Sequence, residues 1–344
     1  MEKNSSIYAD IATRTNGDVY IGVVGPVRCG KSTFIQNFMK NFVIDNITNK
    51  SDRVRAIDEL PQAGDGNMVM TTKPQFVPNE AVKVKINNTQ MSVRLIDCVG
   101  FMVEGAEGAL DNDKPRLVKT PWSDKEIPFV QAAVIGTEKV ISDHSTIAVA
   151  VTTDGSFGEI PRENFIDAEK RTIKKLKEAK KPFVVVLNSA NPQDENVKKL
   201  ANRLKGEYKS PVVPMNVNEL KKEDVNIIMT EILKEFPIEV INIKIPKWLK
   251  PLSTENPTIK EILDEINNTV DSVERIGDYD SSKILFEQSS FFEPILNSNI
   301  EIGTGEITFD IVPKEGLFYK VLSEQCGTEI EDDFALINCL KDFI

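Results

Sequence analysis

One run constrains this chain more than any other: Val19-Tyr20-Ile21-Gly22-Val23-Val24-Gly25-Pro26-Val27-Arg28-Cys29-Gly30-Lys31-Ser32-Thr33. It reads as a buried strand, a glycine-framed loop and a helix start. Gly25 and Gly30-Lys31-Ser32 fit the phosphate-binding pattern G-x-x-x-x-G-K-[ST]. Such a loop turns successive backbone N–H groups toward one centre, and the following helix points its positive end at the same place. Phe34, Ile35, Phe38 and Met39 then fall on one helical face. The pattern makes Gly25, Pro26, Val27, Arg28, Cys29, Gly30, Lys31, Ser32 and Thr33 candidate nucleotide contacts. Lys31 is expected to reach the β- and γ-phosphates, and the Ser32 hydroxyl to ligate Mg²⁺.

The sequence around this run supplies a sheet. A short helix is expected over 7–14, the first strand up to Val24 and the first helix up to about Val43. Residues 45–80 carry no sustained period and read as a long functional loop, where switch loops sit in GTPase-like domains. Ala81–Asn87 and Met91–Ile96 read as a hairpin, and 101–128 as irregular chain. Further helices are expected at 129–142, 162–179, 193–206 and 225–236, with strands at 146–152, 183–187 and 212–213 between them. Unbroken apolar strands between amphipathic helices predict an α/β fold of the P-loop NTPase type. Its sheet should have six mostly parallel strands, one antiparallel, with helices on both faces.

At 344 residues the chain suggests two or three domains. The first is expected over 1–237. A smaller α+β domain is expected over 238–344, with strands near 239–245, 283–291 and 299–311 and helices near 258–275 and 316–325. The segment around Phe334, Leu336, Ile337 and Leu340 is amphipathic, and a chain end just after it reads as a truncation before a further domain.

Asp97-Cys98-Val99-Gly100 fits D-x-x-G at a strand end. A carboxylate there holds Mg²⁺, and the Gly100 N–H can touch a γ-phosphate. The next residue is Phe101, not the Gln that orients water in many GTPases, so another group must do so here. Thr71 and Thr72 lie in the long loop between these motifs, where a threonine can ligate Mg²⁺ and sense the terminal phosphate. Sequence alone does not choose between them. The strand 183–187 ends in Asn188-Ser189-Ala190-Asn191 where a GTPase has N-K-x-D. A neutral amide in place of that carboxylate is a poor partner for guanine, which favours ATP, with Asn188 kept as a nucleotide-site residue. Arg53, Arg55, the single His144, Trp122 and Trp248 are expected in solvated or packing roles.

A net charge of −11 and a pI near 4.9 argue against non-specific nucleic-acid binding. Four cysteines show no metal spacing, and Cys29 inside the loop favours free thiols and a cytoplasmic setting. No signal peptide or membrane-spanning run is visible.

These motifs, together with Asp52-Arg53, Asp58-Glu59-Leu60-Pro61-Gln62, Met70-Thr71-Thr72, Phe76-Val77-Pro78-Asn79, Thr120-Pro121-Trp122, His144-Ser145-Thr146-Ile147 and Thr152-Thr153-Asp154-Gly155, resemble the stage IV sporulation protein A family. These are the coat morphogenetic ATPases of endospore-forming bacteria. The match is densest over 8–190 and collinear to the end. The resemblance implies a GTPase-like domain turned to ATP and Mg²⁺. Lys31 would be its phosphate-loop lysine, Thr71 and Thr72 the sensing threonines, and Asp97 the Mg²⁺ carboxylate. It further implies that hydrolysis drives self-assembly into the basement layer of the coat, in the mother-cell cytoplasm at the forespore surface. The implied partners are copies of itself, other coat proteins and a small amphipathic membrane-bound peptide, whose binding region lies beyond these residues. The alternatives are a nucleotide-dependent switch or binding module that does not polymerise, and a structural protein that keeps nucleotide as a folding cofactor.

Overall fold

The computed structural model describes residues 3–61, 73–86, 88–111, 114–270, 273–279, 285–295 and 299–342. The chain divides into two compact units, Met1–Glu235 and Phe236–Ile344.

In the first unit the chain runs α1 (Lys3–Arg14), β1 (Asp18–Val24), α2 (Lys31–Phe38), α3 (Ile44–Asn46), α4 (Lys50–Asp58), β2 (Gln75–Ile86) and β3 (Thr89–Asp97). Two small hairpins follow, β4 (Leu110–Asp111) with β5 (Lys114–Pro115), and β6 (Leu117–Thr120) with β7 (Ser123–Pro128). Next come α5 (Phe129–Lys139), β8 (Ile147–Thr153), α6 (Ile166–Glu178), β9 (Phe183–Asn188), α7 (Glu195–Tyr208), β10 (Val212–Met215) and α8 (Lys222–Lys234). The six-stranded sheet has the order β10-β9-β8-β1-β3-β2 and is parallel except for β2 on its edge. Every residue of β8 and β9 is buried, which is why both read as continuous apolar runs. Outer strand β2 instead alternates from Val82 to Ile86, with Lys83 and Lys85 exposed. Helix α6 buries Ala168, Glu169, Thr172, Ile173 and Leu176, a stripe at helical spacing that covers the sheet.

Two stretches are more ordered than their composition suggests. Residues 50–58 form α4, whose start is capped by the Asn49 side chain accepting from the Ser51 N–H, and β2 begins at Gln75. Helix α4 buries only Ala56, so no apolar period announces it. The described residues of 110–128 form the two hairpins; β4, β5 and β7 are largely exposed, and only the four-residue β6 alternates, burying Val118 and Thr120.

The second unit has a three-stranded sheet, β11 (Val240–Lys244), β12 (Asn299–Glu301) and β13 (Glu306–Asp310), in the order β11-β13-β12. Strand β11 pairs parallel to β13, and β12 pairs antiparallel to it. With α9 (Pro257–Val270), α10 (Leu317–Cys326) and α11 (Asp333–Asp342), this gives an α+β unit. Leu249, Phe292, Ile307 and Phe309 are among its core residues. The strand expected over 283–291 is not formed among the described residues there: Leu285 makes an isolated bridge to Ile295, and a turn follows. No described helix is long and apolar enough to cross a membrane.

Candidate nucleotide site

Parallel pairing brings the strand ends to one edge. Val23 is in register with Asp97, Thr153 with Asn188, and Met215 with Asn188. The loop 25–30 crosses this edge between β1 and α2, the place where open α/β sheets bind ligands. Its glycines are required by space as well as by dihedral angle. Gly25 has φ +145°, and a Cβ there would lie 2.1 Å from the Val151 carbonyl oxygen. Gly30 has φ +104° and abuts the Asn188 amide, 2.7 Å from where its Cβ would be. Arg28 at the crest also has positive φ, 65°.

The loop is pinned from beneath. The Cys29 thiol donates to the Val151 carbonyl at 3.0 Å. The Asn188 Nδ2 donates to the Cys29 carbonyl at 3.2 Å, and its Oδ1 accepts from the Val217 N–H at 3.2 Å. Asn188 therefore spends both ends of its amide on bracing. The Val27 N–H donates to the Phe101 carbonyl at 2.9 Å, tying the loop to the residue after D-x-x-G, and Pro26 and Phe101 form a parallel bridge. The Phe101 ring is buried, with the Arg171 guanidinium 4.7 Å from its centroid, so it packs rather than orienting solvent.

Within the cradle, Lys31 is buried and its ammonium donates to the Pro26 carbonyl at 2.6 Å. Helix α2 starts at Lys31 without a side-chain cap, which leaves its first-turn N–H groups, Ser32 and Thr33 among them, at the loop. The Ser32 hydroxyl donates to Asp97 Oδ2 at 2.6 Å. The other carboxylate oxygen, Oδ1, is buried with no hydrogen-bond partner. Burial pushes the Asp97 carboxyl up from its ordinary range, and the nearby Lys31 charge and Ser32 hydroxyl oppose that. A buried carboxylate oxygen without a partner, beside a serine hydroxyl, is a hard-cation donor set. Among the described residues no group of three or more His, Cys, Asp or Glu side chains could hold a metal by itself. A Mg²⁺ here would thus complete its shell with phosphate and water oxygens, as Mg²⁺ does at phosphate sites.

Gly100 (φ +92°) is wedged against the loop: a Cβ there would lie 2.2 Å from the Gly25 carbonyl oxygen and 2.7 Å from Lys31 Nζ. Its N–H donates to Thr137 Oγ1 at 3.2 Å. Thr137, Val151 and Val217 carry no motif, and sequence reading passes over them. Thr71 and Thr72 lie outside the described residues. Arg53 pairs with Asp45, and Arg55 with Asp52 and Glu80, which commits both to acids on the surface. His144 packs edge-on to Phe76, and Trp248 edge-on to Phe318. All four cysteines are free thiols, with Cys29 and Cys98 buried.

Comparison with known proteins identifies the family. The profile of the stage IV sporulation protein A ATPase domain matches residues 1–237, and that of the middle domain of the same family matches 238–344. The chain belongs to the stage IV sporulation protein A family. It is 44% identical over 338 residues to stage IV sporulation protein A of Clostridioides difficile (strain 630), covering 98% of this chain and 69% of that protein. It is 43% identical over 345 residues to the Bacillus subtilis (strain 168) protein, covering 100% of this chain and 70% of that one. The Bacillus anthracis protein is 42% identical over 343 residues, covering 99% and 70%. The first unit is therefore an ATPase domain of a sporulation protein, and the candidate loop at 25–32 lies within it.

Proposed function

We propose that the chain hydrolyses ATP with Mg²⁺ at the 25–32 loop, and that turnover drives a conformational change and self-assembly into the basal layer of the spore coat at the forespore surface. The observation that carries the chemistry is the Ser32 hydroxyl on Asp97 Oδ2 at 2.6 Å, with Asp97 Oδ1 left without a partner. Ser32 and Asp97, with Thr71 or Thr72, would hold Mg²⁺, which when bound neutralises phosphate charge. Lys31 gives up the Pro26 carbonyl for the β- and γ-phosphates, and α2 presents its first-turn N–H groups to them. Gly25, Pro26, Val27, Arg28, Cys29, Gly30 and Thr33 shape the cradle, and Asn188 holds it rigid from below. Phe101 orients no water, so a group other than this side chain does so.

Purine choice follows from Asn188-Ser189-Ala190-Asn191. The Ser189 hydroxyl accepts from the Asn191 N–H at 3.1 Å, and the Ser156 hydroxyl from the Ala190 N–H at 2.8 Å, so the loop is held by its own serine and by the turn after β8. No carboxylate stands among these four residues to take the guanine N1 and N2 donors. ATP is then preferred to GTP. The family of spore-coat proteins supplies the assembly part of the reading, with copies of the chain, other coat proteins and the membrane-bound coat peptide as partners.

The test measures Mg²⁺-dependent ATP and GTP hydrolysis by wild type and Lys31→Ala, with light scattering alongside. Faster turnover of ATP, lost in the variant, with nucleotide-dependent growth in particle size, is expected. Equal or faster GTP turnover, or particle size indifferent to nucleotide, would overturn the corresponding part.

A further inference from the structure

Helix α5 reaches the glycine of D-x-x-G through Thr137. Thr137 is fully buried, and its hydroxyl donates to the Ala133 carbonyl one turn back at 2.8 Å. Its oxygen is thereby oriented to accept, and it accepts the Gly100 N–H at 3.2 Å. Gly100 lies close to the Lys31 ammonium, and without a Cβ it can change its dihedral angles at no side-chain cost. One N–H cannot serve both the Thr137 hydroxyl and a terminal phosphate with good geometry.

The neighbouring residue on α5 gives this contact an outlet. Gly136 provides the flat spot on which the Pro74 ring and the Trp122 indole converge, 3.3 Å and 3.7 Å from where its Cβ would be. Pro74 follows the segment that carries Thr71 and Thr72, and Trp122 sits at the β6–β7 turn. Helix α5 begins directly at the end of β7, and the Phe129 N–H donates to the Arg116 carbonyl at 2.7 Å. The helix thus joins the D-x-x-G glycine to the hairpin.

We propose that Thr137 is a positioning residue that parks the Gly100 N–H away from the phosphate site until a terminal phosphate takes it, and that α5 passes this exchange to the Pro74–Trp122 contact. The inference rests on the triphosphate reading of the same site. Diphosphate lacks the group that competes for the N–H and leaves the contact in place.

The test uses the full chain with Trp248→Phe, so that Trp122 is the only indole. Into this background go Thr137→Val, which keeps the shape and removes the acceptor, Thr137→Ala as a second deletion, and Thr137→Ser, which restores the hydroxyl. Calorimetry gives the affinities for ADP and for a non-hydrolysable ATP analogue, both with Mg²⁺, and Trp122 emission is followed in the same titrations. In Thr137→Val and Thr137→Ala the buried N–H has lost its partner in the free protein, so the preference for triphosphate over diphosphate should rise about tenfold. The emission change specific to triphosphate should fall by at least half. Thr137→Ser should match the parent in both readouts. A preference that is the same in the Val, Ala and Ser variants overturns this inference and leaves the proposed function standing. No heat from either nucleotide with folded parent protein overturns both.

Discussion

The Ser32 hydroxyl meets the Asp97 carboxylate at 2.6 Å, joining the first turn of α2 to the end of β3 across 65 residues of sequence. Neither partner is unusual alone. Together, beside a glycine-framed loop and with Asp97 Oδ1 left over, they bring two oxygens of the kind that suits a hard cation to one place.

Asp97→Asn keeps the shape and removes the charge that would hold the cation. ATP turnover at saturating Mg²⁺ should fall about a hundredfold or more. The Mg²⁺ concentration for half-maximal rate should rise clearly in the residual activity. A variant with an unchanged Mg²⁺ profile would take Asp97 out of the metal site.

Gly25→Ala places a methyl 2.1 Å from the Val151 carbonyl oxygen, which is backbone and cannot swing away. The loop must shift, and nucleotide affinity should drop at least about tenfold with some 1–3 kcal/mol of stability. Calorimetry and thermal melting read the two effects separately.

Asn188→Ala strands the Val217 N–H and the Cys29 carbonyl that the amide now pairs. A loss of about 1–3 kcal/mol is expected from the unpaired groups. ATP and GTP affinities should weaken by the same factor if the bracing contacts are what the amide contributes. A loss confined to ATP would assign Asn188 to purine recognition instead.

Glu169 is buried at 2% exposure and accepts from Arg162 at 2.7 and 2.8 Å, from Tyr208 at 2.6 Å and from Thr152. Burial and that carboxylate hold the Tyr208 phenol above its usual pKa. Glu169→Ala leaves a largely buried guanidinium without its counter-charge, at a cost of about 3–5 kcal/mol, so the melting temperature should fall by about 10 °C. A melting temperature within about 2 °C of wild type would show that the network adds little.

Burial pushes the Cys29 thiol up and the Cys98 thiol up to about 12. A raised thiol pKa leaves little thiolate, roughly one part in 10⁴ for Cys98 at pH 8, and the fraction grows tenfold per pH unit below that pKa. Native protein treated with iodoacetamide at pH 8 should be labelled at exposed Cys326 and half-buried Cys339, and at all four cysteines once unfolded. Peptide mass mapping gives the count. Rapid native labelling of Cys29 would show that the loop opens.

The phosphate loop was legible because its chemistry is local. Gly25, Gly30, Lys31 and Ser32 fall within eight consecutive residues, and the strand and helix around them have clear periods. The buried strands β8 and β9 were legible for a similar reason, since burial on both faces leaves a continuous apolar run. Helix α4 and the hairpins of 110–128 were not, because they bury too little apolar surface to impose a period. The sequence by itself thus determined an α/β unit that carries a phosphate-loop motif, followed by a smaller α+β unit, and it named Lys31, Ser32 and Asp97 as candidates. Only the tertiary structure decided that Asn188 clamps the Cys29 carbonyl across 159 residues and that Thr137 holds the Gly100 N–H across 37. Such contacts leave no mark on any periodic pattern. A single asparagine or threonine finds its partner through strand register and helix placement, which the whole chain sets together.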